Sequence, residues 1–398
     1  MRKYSFLEEL LILGKIGDHC RSLRVLPLSK TISLGSESPA PDPWPLTRSY
    51  WDVPDYMKVA FHSGKGKDFE RSVALYEGSY INLDLYGDLN DFLKRKLSSN
   101  RISKLRAYKR NLERVFPIEY AHYYGEELSD STYSMLMDSL KAMISTRFEE
   151  KKMEHTALED WDNFKNRGKG LIADKRAALI VIYNDGQPIH ISFNYVWEKL
   201  VFGYVRGYNL DYSKFYLGFI DIMIQLEWCF NNEFHIYDLL RGNLDYKLMF
   251  ADGTYLYRSH FLVPSPLRNP QSLLPWLRTL LKFDIYYPLR TKMGTVYRRM
   301  FPMSKKQINR APFYQFDEPS PDESSLLAGN QMVKISLEPE PRENFKRAAY
   351  HFLYNSKTPL KELEVYMLPN QRDVYFLKGN GKSKKLGFTN VENRDRKP

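Results

Sequence analysis

The sequence predicts an α+β fold in which a mixed, mostly antiparallel sheet is flanked by helices. Three runs of strand character, 175–183, 188–195 and 200–205, follow one another with only tight turns between them. Two helical patterns precede these runs, and an amphipathic helix at 214–231 and a fourth strand at 234–238 follow them. Strands joined by tight turns pair antiparallel, and helices between strands pack on the faces of the sheet. Function is expected within 175–262.

Size and charge set the first limits on function. With 398 residues, of which 43% are hydrophobic, the chain can form a packed core and is long enough for two domains. The net charge of +11 favours an anionic partner: nucleic acid, an anionic membrane surface or a phosphorylated ligand. Cys20 and Cys229 fit neither a disulfide framework nor a zinc cluster, and they suit a reducing cytosol.

The same composition predicts a cytoplasmic location. Glu8 and Glu9 interrupt what would be the apolar region of a signal peptide. The most apolar stretch, 215–230, carries three polar side chains and is too short to span a bilayer. We therefore expect no export signal and no transmembrane helix.

The amino-terminal segment, 1–79, shows little sheet pattern. We predict one short helix at 5–13 and a Pro-rich loop at 36–45, where prolines remove backbone donors. A strand is expected at 79–86, followed by a long helix at 88–115 that is broken near 98–100. The basic faces of this helix either lie in solvent or meet phosphates.

Three further elements lead into the antiparallel meander that the runs at 175–183, 188–195 and 200–205 are predicted to form. Residues 116–123 are predicted to form a strand, and 129–148 a helix capped by Ser129. A second helix over 157–167 is expected to be closed by Gly168 and Gly170. The continuous apolar run that follows, up to Tyr183, is typical of a strand covered on both faces.

Beyond a last strand at 254–263, the pattern of the 80–265 domain ends. Residues 266–311 are basic and aromatic; they could rest on an anionic membrane or an RNA backbone, or form a docked helix with a basic side in solvent. Residues 312–341 are rich in Pro and acidic side chains, and are predicted to be a mobile linker. Residues 342–398 form a small α/β element, with a helix at 343–354 and strands at 363–367 and 373–378.

The junction before the 214–231 helix is a candidate phosphate site. Ser213 is predicted to cap a helix that begins near Lys214 or Phe215, whose free amides and dipole favour an anion. Lys214 adds positive charge, and Gly218 allows close approach of backbone to ligand. A plain capped core helix is the alternative interpretation.

A polar group follows the strand at 234–238. Asp238 could act as a general base if partial burial raises its pKa, or it could simply pair with Arg241. Tyr246 could donate a proton to a departing thiolate, and Lys247 could bind a carboxylate or phosphate. The histidines show no metal-ligand spacing, and no nucleophile elbow or phosphate loop occurs, so no metal is expected.

Several short pieces of sequence together resemble a known family. They are Lys104-Leu-Arg-Ala-Tyr-Lys-Arg-Asn-Leu-Glu-Arg114, Asn184-Asp-Gly-Gln-Pro188, Gly203-Tyr-Val-Arg-Gly-Tyr208, and Asp238-Leu-Leu-Arg-Gly242 with Tyr246-Lys247. The stretch that contains them resembles the acetyltransferase domain of BioF2-like and CelD (cellulose biosynthesis) proteins. This branch of the GNAT superfamily is also similar to Fem-type aminoacyl transferases. The resemblance implies a GNAT-like fold with a reduced N-terminal unit and a basic C-terminal appendage.

The resemblance also implies roles for individual residues. The reaction would be acyl transfer from acetyl-CoA or another acyl-CoA to an amine, without a covalent enzyme intermediate. Donor contacts would come from main-chain groups near the meander end and from the helix junction: Gly203, Tyr204, Val205, Ser213, Lys214 and Gly218. Acceptor contacts would come from Arg206, Tyr208 and Arg241. Asp238 would be base or substrate anchor, with Tyr246 and Lys247 completing the catalytic group.

These observations favour an N-acyltransferase that acts on an amine of a sugar or of a cell-envelope or polysaccharide precursor. One alternative is a Fem-type transferase that uses aminoacyl-tRNA, which the positive charge would suit. Another is a nonenzymatic module that binds membrane or nucleic acid through 275–310. The first interpretation places the protein in the cytoplasm, with room for peripheral attachment to the inner face of the membrane.

Overall fold

The amino-terminal part of the chain is built largely of strands. The computed structural model describes residues 2–34, 47–62, 69–125, 128–151, 158–242, 245–263, 273–281, 314–329, 331–368 and 374–388. The first strands are β1 (Arg2–Ser5), β2 (Cys20–Val25), β3 (Lys30–Ser33), β4 (Arg48–Pro54), β5 (Met57–Phe61) and β6 (Phe69–Asn82). A π-helix at Glu8–Ile12 lies within the predicted helix. The expectation of little sheet before residue 80 is wrong. Four of these six strands have only four to six residues, and the longest, β6, has a burial pattern that does not alternate regularly, so neither kind gives a clear sequence pattern.

The central part follows the predicted order of elements. Its helices are α1 (Leu89–Lys96), α2 (Ser99–Val115), α3 (Asp130–Lys151), α4 (Trp161–Ala173), α5 (Leu217–Asn231) and α6 (Asp245–Phe250). Its strands are β7 (Ile118–Tyr123), β8 (Ala177–Asn184), β9 (Gln187–Trp197), β10 (Leu200–Tyr208), β11 (Ile236–Arg241) and β12 (Gly253–Val263). The structure confirms the predicted meander and the helix break near residue 98. It also confirms the Ser129 cap, because the Ser129 hydroxyl accepts from the Thr132 amide at 3.1 Å.

Strands from both parts of the chain form one nine-stranded sheet. Its order is β1-β4-β12-β6-β11-β10-β9-β8-β7. The pairs β1–β4 and β10–β11 are parallel, and the other neighbours are antiparallel. The long strand β6 lies between β11 and β12, so the amino-terminal part completes the sheet of the predicted domain. The mixed, mostly antiparallel sheet is confirmed.

Helices cover both faces of the sheet. Strand β8 alternates between two hydrophobic cores, since successive side chains point to opposite faces. Ile180 and Ile182 pack in the core that contains α1, α2 and α5, whereas Leu179 and Val181 pack in the core that contains α3 and α4. We call these the α5 face and the α3 face.

Helix α4 corrects one boundary. It continues through Gly168 and Gly170 to Ala173, rather than ending at the glycines. A Cβ at Gly168 would collide with the Tyr133 hydroxyl and lie 3.2 Å from Phe193. The glycine is therefore explained by close packing of α4 on α3 and the sheet, and not by helix termination.

The carboxyl-terminal part forms a second, smaller sheet. It contains α7 (Leu273–Leu280), β13 (Tyr314–Asp317), α8 (Pro321–Ala328), β14 (Val333–Ile335), α9 (Phe345–Ser356), β15 (Glu364–Met367), β16 (Val374–Gly379) and β17 (Lys382–Phe388). The strand order is β13-β17-β16-β15-β14. The predicted helix and two strands are confirmed. The predicted linker at 312–341 is wrong over its described part, because β13, α8 and β14 lie there. Most of the basic 266–311 segment lies outside the described residues.

This C-terminal module, residues 314–388, packs on the α5 face. The Tyr350 ring of α9 lies 4.8 Å from Phe116 and 4.9 Å from Tyr212. Tyr354 packs against Phe215 and Tyr216, with ring centroids 5.3 and 6.1 Å apart. The module thus supports the connection between β10 and α5.

Candidate active site

Strands β10 and β11 pair only at their beginnings. Among the described residues, their register covers three pairs, Leu200 with Ile236, Val201 with Tyr237 and Phe202 with Asp238. Beyond Phe202, β10 carries a bulge at Tyr204, while β11 carries an irregularity after Asp238. The two strands therefore stop pairing and part toward their carboxyl ends. We call this parting the splay.

Helix α5 begins at the open end of the splay. Residues Leu210–Phe215 wind as a 3-10 helix, and Tyr216 adopts a left-handed conformation with φ of 57° before α5 starts at Leu217. The prediction that Ser213 caps this helix is wrong, because the extra turn places Ser213 four residues before the first helical position. Tyr216, the N-cap residue, makes no side-chain capping hydrogen bond.

The first turn of α5 has room for a ligand. A Cβ at Gly218 would meet nothing within 4 Å, and Lys214, four residues earlier in the chain, is exposed. The adjoining groove has a volume of about 280 Å³. It is lined by Ser98, Asn100, Arg101, Lys104, Leu105, Tyr108, Phe219 and Met249. Cationic side chains of α2 therefore face the start of α5, as the phosphate interpretation of the basic helix requires.

A buried polar network lies under α5. Asp221 Oδ1 accepts from Ser192 at 2.8 Å, both carboxylate oxygens accept from Gln225, and Arg206 Nη1 lies 3.5 Å from Oδ2. Arg206 also donates to the Tyr237 hydroxyl at 2.6 Å. Arg206 of β10 therefore contacts both Asp221 of α5 and Tyr237 of β11.

The network leaves some polar atoms without partners. Asn194 is fully buried, and neither polar atom of its side chain has a hydrogen-bond partner among the described residues. Asn194 pairs in register with Gly203, where a Cβ would lie 2.7 Å from Arg206 Nη2 and 3.2 Å from the Tyr237 hydroxyl. Buried amides are normally satisfied. Asn194 is therefore an unsatisfied buried polar group on the α5 face of the sheet.

Asp238 lies on the opposite face of the sheet, at the apex of the splay. Its carboxylate is fully buried and accepts from Tyr56 at 2.7 Å, from Tyr255 at 2.7 and 2.9 Å, and from the Leu240 amide at 2.7 Å. Burial raises the pKa of Asp238 to about 6, and these hydrogen bonds limit the rise. A buried carboxylate with a pKa close to neutral can take up and release a proton.

The two residues of the Tyr-Lys pair in α6 lie in different surroundings. Tyr246 is half-buried on the α5 face, and its ring lies 6.4 Å from Phe219. Lys247 is buried and donates to the carbonyls of Leu239 at 2.6 Å and Arg241 at 2.8 Å. Burial lowers the pKa of Lys247 to about 8. Lys247 therefore holds the end of β11 where that strand leaves β10.

The remaining predicted residues divide between the two faces. Tyr204 is exposed at the bulge and packs on Tyr195 and Phe164 with centroids 4.9 and 5.4 Å apart, while Val205 is buried in the core of the α3 face. Tyr208 lies under the Arg147 guanidinium at 4.9 Å, and Arg241 lies 4.1 Å from the Tyr76 ring. The structure thus groups Gly203, Arg206, Gly218 and Tyr246 on the α5 face, and Asp238 and Arg241 on the other.

Several partners were missed from the sequence. Tyr56 and Tyr255 reach Asp238 from distant parts of the chain, so no local pattern marks them. Asp221 and Gln225 did carry a signal, because they interrupt an otherwise apolar helix and share one of its faces at a spacing of four residues. Buried polar side chains at that spacing indicate a common partner.

Sequence comparison agrees with the β10–α5–β11 geometry. Residues 99–248 match the family model for the acetyltransferase (GNAT) domain. The matched part of the chain, which runs from α2 into α6, is therefore similar to a GNAT-type acyltransferase domain. The narrower resemblance to BioF2-like and CelD proteins stays a prediction. No curated protein matches the chain.

The solved structures that match this chain share little sequence with it. FemX is 12% identical over 57% of this chain and 74% of its own, with a TM-score of 0.38. A tandem GNAT protein from the clavulanic acid biosynthesis pathway is 9% identical over 55% and 65%, with a TM-score of 0.31. A conserved protein of unknown function from Bacteroides thetaiotaomicron is 9% identical over 55% and 70%, with a TM-score of 0.37.

Two properties of the described residues bear on ligands and location. None of the helices in the described ranges has the length and apolarity needed to cross a bilayer. Within those same ranges, His, Cys, Asp and Glu side chains form no group of three suited to a metal ion.

Proposed function

We propose that this protein is an N-acyltransferase that moves an acyl group, in the simplest case acetyl, from acyl-CoA to an amine. The acceptor is a sugar or a cell-envelope or polysaccharide precursor. The observation that carries the proposal is the parting of β10 and β11 beside the open first turn of α5. That arrangement offers main-chain donors to a thioester and helix amides to a diphosphate.

The donor binds on the α5 face. Its phosphates lie at the first turn of α5, near Gly218 and Lys214, with Arg101 and Lys104 across the groove. The acyl-CoA arm runs along β10 past Gly203, Tyr204 and Val205, whose main-chain groups are freed from β11 by the splay. Ser213 contributes from the 3-10 helix that precedes Tyr216.

Acyl transfer then needs one proton acceptor and one proton donor. The amine nitrogen attacks the thioester carbonyl, a C–N bond forms, the C–S bond breaks, and the sulfur leaves as a thiolate. Asp238 is the proposed proton acceptor, and the proton from the amine must pass through the hydroxyl of Tyr56 or Tyr255, which are buried with it on the opposite face of the sheet. Tyr246, on the donor face, protonates the thiolate.

The other charged residues position these groups. Arg206 and Lys247 hold the diverging ends of β10 and β11 through the contacts described above, and Lys247 favours the ionised form of Asp238. Arg241 is exposed, and Tyr208 is half-buried. An acceptor that carries hydroxyl or anionic groups can bind to these two side chains. The cytoplasm supplies the acyl-CoA.

Calorimetric titration with acetyl-CoA tests the donor site. Gly218→Glu places a carboxylate where the phosphates bind, and a negative charge in the first turn of a helix does not weaken the helix. Gly170→Glu is the matched control, since Gly170 is also an exposed helical glycine with nothing within 4 Å of its Cβ position. We expect micromolar binding by wild type and Gly170→Glu, and binding weakened about tenfold or more by Gly218→Glu.

A parallel titration with tRNA tests the alternative donor. Salt-sensitive binding of tRNA, combined with no binding of acetyl-CoA or longer acyl-CoA, would overturn the proposal in favour of an aminoacyl-tRNA-dependent transferase. Equal weakening by both glycine substitutions would instead remove the first turn of α5 from the donor site.

A further inference from the structure

Helix α7 presents an apolar face to solvent. Its leucines Leu273, Leu274, Leu277 and Leu281, the last just beyond the helix end, are 49%, 57%, 42% and 58% exposed. At about 100° per residue, these four positions fall within one arc of about 100°. Scattered exposed leucines are ordinary, but four on one face of a short helix mark an interaction surface.

The charge of the surrounding sequence identifies the partner. The segment 266–311 contains ten Lys and Arg residues and a single Asp, which accounts for most of the net charge of the chain. Arg278 lies in α7 itself and is exposed. The rest of the segment lies largely outside the described residues and enters the argument through its composition alone.

We propose that α7 binds the surface of an anionic lipid bilayer with its leucine face. An apolar helical face flanked by basic residues enters the boundary between head groups and acyl chains, while the basic residues attract anionic lipids. RNA would use the positive charge, but it offers no apolar medium for the four leucines. A second copy of this chain would bury the leucines, but it would bring two strongly basic segments together. The bilayer satisfies both properties.

This inference is independent of acyl transfer. It deals with where the protein resides, and it relies on residues outside the β10–α5–β11 site. A protein that failed every acyl-CoA titration could still bind membranes, and the reverse also holds. The two proposals are therefore tested separately.

Vesicle co-sedimentation tests the membrane surface. The full-length protein is mixed with vesicles of phosphatidylcholine alone, or of phosphatidylcholine and phosphatidylglycerol in a 3:1 ratio, at about 0.1 M salt. The test variant is Leu274→Ser with Leu281→Ser, which removes the two most exposed leucines and keeps the charge. The matched control is Leu26→Ser with Leu85→Ser, which removes leucines that are 41% and 49% exposed elsewhere.

We expect wild type and control to bind the anionic vesicles and to bind neutral vesicles at least about tenfold more weakly. The test variant should need about tenfold more lipid for half-maximal binding. Absence of wild-type binding to anionic vesicles overturns the proposal, as does equal binding by the test variant. A leucine-dependent dimer in sedimentation velocity, or leucine-independent binding to RNA, together with no vesicle binding, would reassign the surface to self-association or to nucleic acid.

Discussion

Asp238 is buried under two tyrosine hydroxyls, at the last paired position before β10 and β11 part. Its surroundings explain how one carboxylate can serve both structure and chemistry. The hydrogen bonds from Tyr56, Tyr255 and the Leu240 amide fix its position, while burial keeps its pKa at about 6. An aspartate exposed to water would have a pKa near 3.9 and would be a poor proton acceptor at neutral pH.

The first prediction at this scale concerns turnover. Asp238→Asn keeps the size of the side chain and removes the proton acceptor, so kcat should fall by about a hundredfold or more. Thermal unfolding and acetyl-CoA binding of the same variant measure fold and donor site, and we expect the binding constant to stay within about threefold of wild type. Unchanged kcat would remove Asp238 from the proton transfer.

The pH dependence gives a sharper prediction. Only the ionised carboxylate accepts a proton, so kcat/KM should rise with pH through about 6. Tyr56→Phe removes a hydrogen bond that lowers the pKa of Asp238, so this limb should move to higher pH. A pH profile of wild type and variant checks the direction of the shift. A limb that stays in place, or moves to lower pH, would contradict the assignment.

The sequence marked Asp238 as a candidate because a carboxylate follows an apolar strand, which is a local pattern. The sequence could not show that Tyr56 and Tyr255 cover it. Their contact depends on β6 and β12 joining the sheet beside β11, which is a long-range pairing of strands. Side chains that meet only through such pairings carry no local signal.

At the scale of elements, buried polar and charged side chains join β10, α5 and β11. Asp221 of α5 lies 3.5 Å from Arg206 of β10. Gln225 donates to Asp221, and Arg206 donates to the Tyr237 hydroxyl of β11. A buried pair of this kind need not add net stability, but removing one partner leaves the other charge uncompensated. The pair therefore fixes where α5 lies relative to the strands.

Substitutions of Asp221 and Arg206 should have non-additive effects on the free energy of unfolding. Asp221→Ala should lower the free energy of unfolding by about 3 kcal/mol, because Arg206 keeps a buried charge without its counterion. Asp221→Ala combined with Arg206→Met should recover part of that loss, since the charge is gone as well. Denaturant unfolding of the two single variants and the double variant measures the coupling. Strict additivity would show that the two residues do not act as a pair.

Element type was easier to predict than element boundary. The meander followed from continuous and alternating apolar runs, and the structure confirms it. The start of α5 did not follow, because the 3-10 helix at Leu210–Phe215 and the left-handed Tyr216 are stabilised by packing against α2 and α9. In the same way, Gly168 reads as a helix end in the sequence and is explained by packing in the structure.

At the scale of the whole molecule, the C-terminal module packs against the connection between β10 and α5. Its helix α9 packs Tyr350 and Tyr354 against the connection that leads into α5. Arg347 of α9 donates to Glu150 of α3 at 2.8 Å, so the module also contacts helix α3. A module placed in this way can set the position of the first turn of α5.

Tyr350→Ala tests that coupling. Loss of a buried aromatic ring should cost about 3 kcal/mol of stability and should raise the KM for acyl-CoA, because the 3-10 helix loses its support. Tyr366→Ala is the matched control, since Tyr366 packs in a separate cluster with Leu327 and Phe376. We expect the control to be destabilised with unchanged KM. Equal KM values for both variants would show that the module does not position the donor site.

The central claim is that the amides at the start of α5 and along β10 bind the acyl-CoA. Hydrogen exchange of the full-length protein, measured with and without saturating acetyl-CoA, tests it most directly. The account predicts slower exchange for peptides that cover Leu217, Gly218 and the segment 203–205, and little change in the C-terminal sheet. Binding of acetyl-CoA that leaves exchange at α5 and β10 unchanged, or that protects a different region, would contradict the claim.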